Sequence, residues 1–144
     1  MANDIGLSVL EAIGDDASVQ AITTRGFAGS LPQNETLPAY VVDVISNNAV
    51  EHLGGSSLST ARVRVDAYGS KRSTSNNLAE TIRTEVMKST HKGTMGTTNT
   101  INVREITLTA GPYWERERPQ DGSPKWRQFI RTDYLVTYAQ TGPS

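Results

Sequence analysis

The chain has 144 residues, 14 Lys and Arg against 15 Asp and Glu, and no cysteine. This length is expected to form a single domain over residues 1–144 that buries a core without covalent staples, and the lack of thiols excludes disulfides and thiolate metal sites. No apolar run reaches the ~20 residues needed to cross a bilayer, and Met1-Ala2-Asn3-Asp4 has no signal-peptide pattern, so the expected place of assembly is a cytosol, with no membrane partner.

Charge is unevenly spread. Residues 1–60 hold one basic residue, Arg25, against seven acidic ones, whereas residues 61–144 hold 13 basic and eight acidic. Such a split either disperses in the folded molecule or makes an acidic and a basic side, as head-to-tail association favours. A basic patch spanning the whole domain, of the kind that grips nucleic acid, is not evident.

In chain order, Leu7, Leu10 and Ile13, with Val9, make a short helical stripe. Asp15, Asp16 or Ser18 can cap a second turn that carries Val19 and Ile22. Residues 24–38 read as a Gly/Pro-rich connection. Leu37-Pro38-Ala39-Tyr40-Val41-Val42-Asp43-Val44-Ile45 reads as a largely buried strand over about 39–46. A second strand, over about 58–68, alternates: Ala61, Val63, Val65 and Ala67 point one way, and Arg62, Arg64, Asp66 and Tyr68 the other. The loop with His52, Gly54 and Gly55 between them predicts an antiparallel hairpin.

Ser73 or Ser75 is expected to cap a helix running to about Ser89, with Leu78, Ile82 and Val86 inward and Ala79 beside them. Glu80 and Glu85 near Arg83 and Lys88 keep its other face wet. Residues 89–100 are polar and contain Gly93 and Gly96, which predicts a mobile loop. Ile101, Val103, Ile106 and Leu108 form a third strand, whose alternation slips at Glu105 as a bulge would make it do. Tyr113 to Arg118, a turn at 119–124, and Lys125 to Tyr138 predict a long hairpin.

Catalytic signals are sparse. His52 and His91 sit in predicted loops, where a lone histidine is far more often solvated than functional. There is no HExxH, no GxxxxGK[ST] and no GxGxxG. Asp15-Asp16 has the chemistry of a hard-cation site, but a helix cap explains the pair more simply. The expectation is a protein that is not an enzyme and holds no cofactor or metal. The last hairpin stands out instead: Trp114, Arg116 and Arg118 share one face and Tyr113, Glu115 and Glu117 the other, while Trp126 and Arg127 begin the return strand. The bland reading is a solvated tip with weak Glu–Arg pairs. Yet Trp, Tyr and Arg are what protein interfaces enrich. The expected contact residues are therefore Arg62, Arg64, Tyr68, Trp114, Arg116, Arg118, Trp126 and Arg127.

Taken together, the N-terminal helix, Arg25-Gly26-Phe27 before Leu31-Pro32-Gln33, the two strands at 37–45 and 61–68, the helix around Leu78-Ala79-Glu80-Thr81-Ile82-Arg83 and the Tyr134-Leu135-Val136-Thr137-Tyr138 ending resemble the tail terminator (tail completion) proteins of long-tailed phages and phage-like particles. The order covers most of the chain. The Trp114–Trp126 hairpin and the 89–100 loop depart from the family pattern. The resemblance implies an α+β fold, an antiparallel sheet with helices packed on one face, and a structural virion protein at the head–tail junction. It further implies a hexameric ring on the head-proximal end of the tail tube, with the major tail tube protein and a head–tail connector or stopper as partners. DNA would pass through its channel without sequence-specific binding, and Lys88 and Lys92 would face that channel or a partner. A stopper or a tail tube subunit is the nearest alternative. Further away are a small hydrolase or transferase using His52 or His91, and a nucleic-acid module using Arg62, Arg64, Arg127 and Arg131.

Overall fold

The computed structural model describes residues 4–32, 35–51, 57–117 and 126–140. Asp4 accepts backbone hydrogen bonds from Gly6 and Leu7 and so caps helix α1, Ile5–Asp15; Asp16 does the same for the short α2, Ala17–Gln20. Strands β1 (Gly26–Ala28), β2 (Ala39–Glu51) and β3 (Ser57–Gly69) follow, then α3 (Arg72–Thr81) with a π-helical turn at Ile82–Val86, and β4 (Gly93–Met95), β5 (Ile101–Glu117) and β6 (Arg127–Gln140). The six strands form one sheet in the order β1-β2-β3-β6-β5-β4. Among the described residues, the β1–β2 pair is parallel and the other pairs are antiparallel. The fold is the expected α+β arrangement, with a C-terminal hairpin of β5 and β6.

The alternation of β3 decides which sheet face is inside. Ala61, Val63, Val65 and Ala67 enter one core with Tyr40 and Val42 of β2, Ile101, Val103 and Ile106 of β5, and Tyr134, Val136 and Tyr138 of β6. The helices close over that face through Ile5, Val9, Ile13, Val19, Leu78 and Ile82. A second, smaller core of Leu31, Ala39, Val41, Tyr68 and Phe129 lies on the opposite, open face.

Several expectations change. The inward stripe of α1 is Ile5, Val9 and Ile13, spaced i, i+4 and i+8, while Leu7 is exposed. Part of the 24–38 connection is a strand, β1. Its Gly26 lies so close to Tyr40 that an added Cβ would sit 2.4 Å from the ring. Neither Ser73 nor Ser75 caps α3: its cap is Lys71, without a side-chain bond. The helix stops at Val86 rather than near Ser89, because the π-turn inserts a residue and the Met87 amide bonds to the Ile82 carbonyl at 2.9 Å. The extra residue turns both Val86 and Met87 inward. The bulge expected near Glu105 is present as a register shift between Val103 and Glu105, and two more shifts follow before Tyr113. The turns at 52–56 and 118–125, with His52, Gly54, Gly55 and Arg118, lie outside the described residues.

The 89–100 segment is not the featureless loop its composition predicts. β4 pairs with the start of β5, and Met95 is 2% exposed. Beyond it, one carboxylate oxygen of Glu11 accepts from the backbone amides of Thr97, Thr98 and Asn99 at 2.9, 3.0 and 2.9 Å. The other oxygen accepts from the Asn99 side-chain amide at 3.0 Å, and the Ser8 hydroxyl donates to the Asn99 carbonyl. Burial raises the Glu11 pKa, but the bonds from Asn99, Thr97 and Thr98 outweigh it and bring the pKa below its usual 4.5. A lowered folded pKa means that the anchor is at full strength above 4.5 and fades as pH falls through the folded value. Glu11→Ala is expected to speed hydrogen exchange at Thr97, Thr98 and Asn99 at pH 7 while leaving the β3 amides protected. Unchanged exchange at those three amides would show that Glu11 does not hold the segment.

Candidate interaction surfaces

On the open face, the β3–β6 register sets Arg64 opposite Asp133, Asp66 opposite Arg131 and Tyr68 opposite Phe129. Asp133 binds two guanidinium groups: Arg62 donates to Oδ2 from Nε at 3.0 Å and Nη2 at 2.7 Å, and Arg64 donates from Nε to Oδ1 at 2.9 Å and from Nη2 to Oδ2 at 3.2 Å. Burial acts to raise the Asp133 pKa, yet the bonds from Arg64 and Arg62 prevail and hold it below the usual carboxylate value. Asp66 takes Arg131 as a fork, with both bonds at 3.0 Å. There burial wins on the carboxylate side and pushes Asp66 up, although Arg131 is held more firmly charged. The two neighbouring pairs thus have opposite signs: one carboxylate gains from its arginines, and the other is compensated only in part.

The row ends in the second core. Tyr68 is 4% exposed, with its ring centroid 4.8 Å from that of Phe129. Arg127 lies over Tyr68, donates to the Pro32 carbonyl at 3.0 Å and pairs with Glu117 at 2.7 Å. Both residues are therefore occupied inside the fold rather than open to a neighbour. Arg62 and Arg64 remain partly exposed but are committed to Asp133. Charge reversal at Arg64 would set a second carboxylate against Asp133 and is expected to destabilise the fold.

Trp114, Arg116 and Trp126 come together at the far end of the hairpin, on the side where the helices lie. The Arg116 guanidinium sits 5.4 Å from the Trp114 ring and 5.5 Å from that of Trp126, so it lies between two indoles. Arg72, the first residue of α3, covers Trp114 at 5.0 Å. The two tryptophans stay 40% and 51% exposed. Alternation placed Trp114 and Arg116 on one face. Arg72 was missed, because its part depends on where α3 begins.

Lys88 and Lys92 are exposed between the π-turn and β4, well away from these tryptophans. Near them, Ala12, Asp15, Asp16, Glu85, Val86, His91 and Met95 help to line a concave pocket of about 310 Å³. Among the described residues, no His, Cys, Asp and Glu cluster is suited to hold a metal, and no helix is long and apolar enough to cross a membrane.

No protein-family model matches this chain, and no curated protein matches it by sequence. Among solved structures, it is similar to a chain of the virion of a native gene transfer agent (GTA) particle, with a TM-score of 0.55 over 95% of each chain. Identity is 8%, so what the two share is the fold.

Proposed function

We propose that this chain is a structural virion protein of a phage-like particle and acts as its tail terminator. Copies close into a hexameric ring on the head-proximal end of the tail tube, end tube growth and offer a surface to the head connector or stopper while leaving a channel for DNA. The observation that carries this reading is the fold itself, which runs through 95% of this chain and of a chain in a GTA virion. Two further features support it. The strongly interacting carboxylates, Asp133, Asp66 and Glu11, are engaged by arginines or backbone amides instead of being left open to a substrate. The exposed aromatic and arginine side chains gather at the hairpin end, as at protein contacts. Localisation to the head–tail junction after assembly in the host cytoplasm, and the absence of enzymatic activity, belong to the same proposal.

Negative-stain electron microscopy of the purified protein, alone and with its tail tube subunit, tests it. The expected result is six-fold rings, and tubes that stop at a ring. Open tubes formed by the protein alone would favour a tube subunit. Monomers that neither close into rings nor bind tubes at any concentration would sink the reading.

A further inference from the structure

We propose that the ring is closed by the hairpin end of one copy, Trp114, Arg116 and Trp126 with Arg72, docking into the acidic pocket of the next copy beside Asp15 and Glu85. The inference rests on the ring reading and names the contact within it.

Complementary deficits carry the argument. Arg72 and Arg116 stand over the indoles, and among the described residues neither has a carboxylate partner. Asp15 and Glu85 are exposed at the rim of a concave pocket and, among the described residues, lack a basic partner. His91 lines the same pocket. One surface therefore has donors and exposed rings, and the other has acceptors around the apolar Ala12, Val86 and Met95.

The two surfaces cannot meet within one chain. β4, which carries Thr94 and Met95 of the pocket, pairs with Ile101 and Asn102, whereas Arg116 stands opposite Gln128 near the other end of β5. At ~3.3 Å per residue, and allowing for the three register shifts, the intervening strand spans roughly 40 Å. Complementary patches at opposite ends of a subunit make a heterologous contact, the kind that closes into a ring when its rotation is right. Stacking on the two indoles also gives Arg116 a set direction before contact, which lowers the ordering cost of docking.

The experiment compares three chains with the parent by analytical ultracentrifugation and negative-stain microscopy. They are Arg72→Glu with Arg116→Glu, Asp15→Arg with Glu85→Arg, and the chain carrying all four changes. Each single-sided reversal is expected to raise the concentration for half-assembly roughly a hundredfold or more, since like charges then face each other, and the four-fold variant is expected to recover most of that loss. Circular dichroism melting checks the fold, and Glu85→Arg alone, at an exposed position, replaces any combined variant that melts early. A parent that forms rings beside single-sided variants that assemble equally well overturns this docking and leaves the ring standing. Loss on both sides without recovery in the four-fold variant also overturns it. A parent that never assembles, alone or on the tail tube, removes the ring reading and this contact with it.

Discussion

Ile82→Ala is expected to lower the unfolding free energy by about 2–5 kcal/mol, the usual cost of emptying a fully buried aliphatic site. Ile82 is 0% exposed and begins the π-turn, within the same core as Val63, Val65 and Tyr134. Its carbonyl also receives the Met87 amide. A smaller side chain there would leave a gap under the turn, and the two inward residues that follow, Val86 and Met87, cannot fill it without unwinding the turn. Glu80→Ala is the matched control. Glu80 is exposed, and its pairing with Arg83 is between solvated groups one helical turn apart, so the cost should stay below ~0.5 kcal/mol. Urea denaturation of both variants decides the matter. Equal losses would mean that the inward face of α3 and its π-turn is assigned wrongly.

Asp133→Ala is expected to cost about 2–4 kcal/mol. Removing one member of a buried ion pair typically costs about 3–5 kcal/mol; here Arg62 and Arg64 keep 41% and 29% exposure and regain water, which lowers the figure. What remains is a pair of neighbouring arginines without their shared counter-charge, and an emptied site in the sheet. The pH dependence supplies an independent check. Because the folded pKa of Asp133 is lowered, its stabilisation is complete above the ordinary value near 3.8 and is lost as pH falls through the folded value. The parent should therefore lose more stability than Asp133→Ala between pH 5 and about 2.5. Asp66 has the opposite sign: its raised pKa makes the charged form the less favoured one in the fold. A variant within 0.5 kcal/mol of the parent at pH 7 would mean that the two arginines do not need Asp133.

The parts of the fold that depend on local periodicity were legible in the sequence. Ala61 to Tyr68 alternate, and the structure divides them between two faces in that order. Leu78, Ile82 and Val86 are inward as spaced. The slip at Glu105 is a register shift. Features that depend on contacts distant in the chain were not legible. Nothing near residues 97–99 signals that Glu11, more than 80 positions earlier, collects their amides. β1 is three residues long, too short for a period, and exists because β2 offers it an edge. In α1, Val9 and Ile13 are inward as expected and Leu10 packs against the core, but Leu7 is exposed and Ile5 takes the inward place one turn before Val9. Of the contact residues, Trp114, Arg116 and Trp126 do meet. Tyr68 turned inward because its strand partner is Phe129, a pairing that only the β3–β6 register reveals.

The register shifts in β5 also shape the free edge of the sheet. β4 covers only the first residues of this strand, so among the described residues no other strand pairs with its outer edge from Arg104 to Glu117. A straight edge of that length is a template for fibre growth. Here the strand slips after Val103, Leu108 and Ala110, and Pro112 has no N–H to donate. No incoming strand can keep step with such an edge for more than a few residues. The slips and Pro112 therefore work against edge-to-edge pairing along this side of the sheet.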